Sequence, residues 1–129
     1  MSVVGGPRLS TVFQNQYSFQ FDGTDEYVTM GNPASLQITG ALTLSAWIKT
    51  SNNSQIQTII GKDGVSTGTR SYLLNLATTG EARFFVFKSG SNTSVFSTTQ
   101  INDGFWHHVL CVNDGADLKI YIDLSLIHI

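Results

Sequence analysis

Trp106-His107-His108-Val109-Leu110-Cys111-Val112-Asn113, followed by Asp114-Gly115-Ala116-Asp117 and then Leu118-Lys119-Ile120-Tyr121-Ile122-Asp123, is the stretch that decides the fold. Two runs rich in β-branched and aromatic residues flank an Asn-Asp-Gly turn, where glycine supplies a positive φ at little cost. The segment therefore reads as an antiparallel hairpin.

Working outward, a period of 2 recurs along the chain. Leu42, Leu44, Ala46 and Ile48 alternate with Thr43, Ser45, Trp47 and Lys49, the pattern of a half-buried strand. Residues 56–62 read as a strand, and 71–77 pair with 82–88 through Thr78-Thr79-Gly80-Glu81, a connection of hairpin length. Residues 89–92 turn the chain into a strand over 94–98. Upstream, Tyr17, Phe19 and Phe21 share one face of a first strand, Asp22-Gly23-Thr24-Asp25 makes a turn, and 27–30 form a short second strand. The Asn32-Pro33 pair interrupts pairing before Gly40, with Leu36 and Ile38 expected to pin that loop to the core. No long window carries a helical apolar stripe. Short strands separated by turn signals about every 8–12 residues point to an all-β, two-sheet sandwich or jelly roll.

Composition supports this. The chain has 129 residues, 12% charged and 41% hydrophobic, with Gly 12 and Pro 2, which suits one globular core better than a disordered chain. A formal charge of -2, with the basic residues scattered, offers no nucleic-acid footprint and no basic surface for a membrane. No apolar run is long enough to span a bilayer, and the first fifteen or so residues lack the basic start and apolar core of a secretory signal. Cys111 stands alone, so no disulfide forms within the chain, and it reads as a small buried hydrophobe in a strand.

The resemblance to a known family rests on three motifs in order. Phe19-Gln20-Phe21-Asp22-Gly23-Thr24-Asp25-Glu26-Tyr27-Val28 resembles the opening of the laminin-G-like jelly-roll domains of the concanavalin A-like lectin/glucanase superfamily. Leu42-Thr43-Leu44-Ser45-Ala46-Trp47-Ile48-Lys49 is similar to that family's next strand, and Gly104-Phe105-Trp106-His107-His108-Val109 with the hairpin above is similar to its later strand pair. The resemblance implies an antiparallel two-sheet jelly-roll sandwich over residues 17–123, with residues 1–16 as a lead-in. It also implies Asp-Gly after the last strand, where this chain reads Asp123-Leu124. Residues 124–129 are accordingly expected to be an apolar tail not native to the domain, which would then lack its last strands and expose edges prone to self-association.

The superfamily contains glucanases, but the chain has only Glu26 and Glu81, neither in the tightly spaced acidic strand motif such enzymes use, so no catalytic residues are assigned. Adjacent strand residues point to opposite faces, so His107 and His108 cannot chelate one ion together. His108 shares a face with Trp106, Leu110 and Val112 and is expected at the edge of the core. No serine lies in a Gly-x-Ser-x-Gly elbow, and the glycines over 61–68 lack a phosphate-loop ending. The resemblance implies a structural calcium ion at Asp22 and Asp25; the alternative is a turn in which Asp22 caps its own backbone. Trp47 falls on the polar side of its strand, where it either stacks on a sugar or packs, and packing is the favoured expectation. Tyr72 and the run from Phe84 to Phe87 are expected to be covered on both sheet faces, so ligand contact is assigned to the loops 51–55, 63–70 and 89–93.

The expected function is a non-catalytic recognition module for carbohydrate or a cell-surface partner, within a larger extracellular, cell-surface or virion protein. The alternatives are a structural sandwich packing on a neighbouring domain and a degenerate glucanase.

Overall fold

The computed structural model describes residues 21, 22, 24, 31–64, 70–88 and 91–128. Met1–Gly31 and Asn32–Ile129 form two compact units. The strands expected over 17–21 and 27–30 lie, Phe21 apart, outside the described residues. In the second unit eight strands follow a short 3-10 turn, Ala34–Leu36: β1 (Leu42–Lys49), β2 (Gln57–Lys62), β3 (Tyr72–Leu76), β4 (Glu81–Lys88), β5 (Ser91–Gln100), β6 (Trp106–Asn113), β7 (Leu118–Ile122) and β8 (Ser125–His128). They make two antiparallel sheets, ordered β1-β6-β7-β8 and β2-β3-β4-β5. The fold is the all-β two-sheet sandwich.

Alternation builds the core. Leu42 and Leu44 of β1, Ala82, Phe84 and Val86 of β4, Val109 and Cys111 of β6, and Ile120 and Ile122 of β7 meet in one buried cluster with Leu74 and Leu76 of β3. Burying a side chain such as Phe84, which is fully enclosed, contributes about 1.5–3 kcal/mol relative to leaving it in water. Strand β3 is buried along its whole length: Leu74 and Leu76 face inward, while Asn75 on the other side accepts a hydrogen bond from Arg83 Nε at 3.0 Å. Ile38 packs against the cluster as expected, and Leu36 is half-buried.

The hairpin that opened the sequence reading forms with Asn113 opposite Leu118 and Val109 opposite Ile122. Gly115 holds φ 99°, and Asn113 Oδ1 accepts its N–H at 3.0 Å, while Asn113 Nδ2 ties the turn to the Gly40 carbonyl at 2.9 Å. Asp114 Oδ1 accepts the N–H groups of Asp117 and Ala116, and its other oxygen takes the Lys119 ammonium at 2.8 Å. The Asp117 N–H first, then Lys119 and the Ala116 N–H, hold the Asp114 carboxyl well below its ordinary value.

Two expectations change. Residues 125–128, read from the sequence as part of a tail, form β8, which pairs with β7 through Tyr121 opposite Leu126 and Ile122 opposite Ser125. The turn before it uses Asp123 at φ 51° and Leu124 at φ 68°, so a leucine occupies a left-handed position that glycine normally fills. The second change concerns β6. Its core face carries His107, Val109, Cys111 and Asn113, so the face shared by Trp106, His108, Leu110 and Val112 is the outer one. Both faces of this strand carry apolar residues, and alternation alone could not choose between them.

Candidate functional site

Antiparallel pairing brings four connections to one end of the sandwich: residues 50–56, 77–80, 101–105 and 123–124. Backbone bonds link them, Gly104 N–H to the Thr50 carbonyl and Ile101 N–H to the Gly80 carbonyl, each at 2.9 Å. Near this end, at the β1 and β2 edges, lies a cleft of about 320 Å³. Trp47 and Trp106 line it, with Lys49, Thr50, Gln57 and Thr58 as polar neighbours and Ile48, Ile59 and Leu76 as its apolar floor.

The strand register explains the arrangement. Trp47 is opposite His108, and Lys49 is opposite Trp106, so both indoles stand on the outer face of the same strand pair. Trp47 is 66% exposed and Trp106 is 63% exposed, which overturns the expectation that Trp47 packs. Its parity places it on the solvent side, with the His108 ring as its aromatic neighbour there. The polar wall is self-supporting: Thr50 Oγ1 donates to Gln57 Oε1 at 2.9 Å, and Gln57 Nε2 donates to the Asn52 carbonyl at 3.1 Å. Asn52 N–H returns to Thr50 Oγ1 at 3.1 Å.

The two histidines do different things. On the outer face the His108 ring sits 5.1 Å from the Trp47 indole, and its Nε2 is 2.8 Å from Ser45 Oγ. A serine and a histidine at this distance resemble a nucleophile and its base, but a working pair also needs a carboxylate to orient the ring. Asp123 bonds the His108 backbone N–H, at 2.8 Å, and its other oxygen lies on the His107 ring. His107, at the end of the core face, has both ring nitrogens on carboxylates: Nδ1 is 2.8 Å from Asp123 Oδ2 and Nε2 is 3.0 Å from Asp103 Oδ1. Asp123, then Asp103, raises the His107 pKa above its ordinary 6.5. Asp103 is held low by the Phe105 N–H first and by His107 second, and Asp123 by the His108 N–H first and His107 second.

Asp22 Oδ1 accepts the Thr24 N–H at 2.8 Å, the local capping turn weighed above. Asp25 and Glu26 lie outside the described residues, and among the described residues no group of three His, Cys, Asp or Glu side chains could hold a metal ion. Of the candidate loops, 51–55 adjoins the cleft through Asn52, and Arg70 pairs with Asp63 and lies 4.0 Å over the Phe87 ring. Residues 65–69 and 89–90 lie outside the described residues, and 91–93 belong to β5. Glu81 is bonded by the Thr79 hydroxyl. Cys111 is fully enclosed, and burial pushes its thiol up to about 12.

Sequence pattern alone does not single out the Trp47–His108 contact, the Ser45–His108 pair or the His107 bridge. The register that makes the first two is not written in either strand alone. Only the spacing of Asp103 and His107 offered a local clue to the third.

Two antiparallel sheets with a polar and aromatic cleft define the class: a lectin-like β-sandwich. The concanavalin A-like lectin/glucanases superfamily matches the chain over residues 22–127, and the chain belongs to that family. No curated protein matches it. No helix among the described residues is long and apolar enough to cross a membrane.

Proposed function

We propose that this domain is a non-catalytic recognition module that takes carbohydrate in the cleft between Trp47 and Trp106, as part of a larger extracellular, cell-surface or virion protein. The observation that carries the reading is the pair of exposed indoles flanking a cleft whose other polar side chains are two hydroxyls, an amide and the Lys49 ammonium. Indole faces take the C–H surfaces of a sugar ring, and Thr50, Thr58 and Gln57 suit its hydroxyls. The extracellular setting rests on the family. Non-catalysis is supported by the carboxylates at this end: a glycosidase acid needs a raised pKa, whereas Asp103 and Asp123 are both lowered.

A glycan array probed with the protein and with Trp47→Ala and Trp106→Ala tests the reading. Retention of specific glycans by the parent, reduced at least about tenfold by either substitution, is the expected result. A blank array, or retention indifferent to both substitutions, removes it. The second reading, a structural domain packed on a neighbour, draws support from Ile56, Phe105 and Leu124, which leave apolar surface exposed at the same end.

A further inference from the structure

The His107 bridge has a stereochemical requirement. A carboxylate accepts hydrogen bonds and donates none, and a neutral imidazole carries a single N–H. Both ring nitrogens of His107 lie within hydrogen-bond reach of carboxylate oxygens, at 2.8 Å and 3.0 Å, so only the imidazolium satisfies both contacts. The two carboxylates belong to different connections. Asp103 lies in 101–105 and also accepts the Phe105 N–H at 2.9 Å; Asp123 begins the turn before β8 and also accepts the His108 N–H. We propose that His107 is a protonation-dependent positioning residue for Trp106, joining the loop that leads into this wall of the cleft to the β7–β8 turn. The idea that Trp106 then holds saccharide rests on the reading above; the bridge itself does not.

Loss of one proton leaves the ring a single donor. The shorter contact to Asp123 is the one it keeps, and Asp103 is released, loosening the 101–105 loop that leads into Trp106 at the start of β6. The charged groups acting on His107 are Asp103 and Asp123, while His108 acts in turn on Asp123. Ile48, opposite His107 on β1, brings no charge. Cleft binding is therefore tightest where His107 is protonated and weakens as pH rises.

The chain's two tryptophans are Trp47 and Trp106, so indole fluorescence reports this cleft alone. In a Trp47→Phe background, which removes the indole beside His108, acrylamide quenching of Trp106 is followed from about pH 5 to about pH 9, spanning the histidine range. Quenching is expected to rise in one step with its midpoint above 6.5. Asp103→Asn, which still accepts the Phe105 N–H, and His107→Gln should each abolish the step. Should either substitution prevent folding, the other decides, and the histidine ring resonances of the parent give His107's midpoint directly. No step, or a step unchanged in the folded variant, overturns the proposal. A glycan array run at both pH limits separates the two readings. A clear quenching step with a blank array at both limits supports the positioning role and removes the saccharide reading. A signal stronger at the acid limit supports both.

Discussion

At the scale of single residues, Leu124 stands out because its backbone and its side chain disagree. A φ of 68° puts its Cβ against the following carbonyl, which costs roughly 1–2 kcal/mol in an L-residue, and Asp123 beside it shares the left-handed conformation with a side chain better suited to it. The leucine side chain returns little for this, being 80% exposed. Leu124→Gly is therefore expected to stabilise the domain by about 1 kcal/mol, read as a rise in the denaturation midpoint at unchanged slope. A loss of stability would mean that Leu124 is covered by contacts worth more than its strain. The same residue explains why the sequence reading stopped at Asp123. A two-residue turn with both φ positive announces itself through glycine or asparagine, and leucine gives no such signal.

At the scale of elements, strand existence could be read because period 2 with turn residues between is a local property, and β1 was placed over its observed span, Leu42–Lys49. Which face a strand buries was readable only where one side was polar. In β1, Thr43, Ser45 and Lys49 marked the solvent side, and Trp47 follows them outward; its size argued for packing, and its parity won. In β6 both sides are apolar, and the choice fell to the opposing sheet. The candidate site was less readable still, since Trp47 meets His108, and Asp123 meets the His107 ring that Asp103 also holds, only after register and turn have brought distant segments together. The β3–β4 turn shows an element under tighter constraint. Gly80 holds φ 99°, a Cβ there would run into the Asn102 side chain, and its carbonyl accepts the Ile101 N–H that starts the 101–105 loop. Gly80→Ala combines backbone strain with that clash and should destabilise by roughly 1–3 kcal/mol in denaturant unfolding. It should also disturb Trp106 through the shared loop. Unchanged stability would show that Asn102 can turn aside and that the turn tolerates a side chain.

At the scale of the whole molecule, the titrating groups place maximal stability on the acid side of neutrality. Asp103, Asp114, Asp123 and Glu81 all have lowered pKa values, so their contribution is present above their ordinary 3.8 or 4.5 and is lost as pH falls through the lowered values. His107 is raised, so its contribution is complete below 6.5 and fades as pH rises through the folded value. These three aspartates are exposed, and solvent screening keeps their effect modest, whereas the His107 ring is only 15% exposed. The steeper alkaline loss belongs to Cys111, enclosed at the centre of β6. Its thiol ionises near 9.0 when free and only at about 12 in the fold, so the unfolded chain gains from ionisation while the folded chain does not. Stability from this group is complete below 9.0 and falls by about 1.4 kcal/mol for each unit above it until the folded thiol ionises in turn. Urea unfolding one unit above that value should thus show the parent chain weakened by about 1.4 kcal/mol from this source, reported by the two tryptophans. Cys111→Ala leaves a small cavity and is less stable near neutrality, but it should lose that part of the alkaline slope. An equal slope in the two proteins would assign the alkaline loss to other groups and leave Cys111 as packing alone.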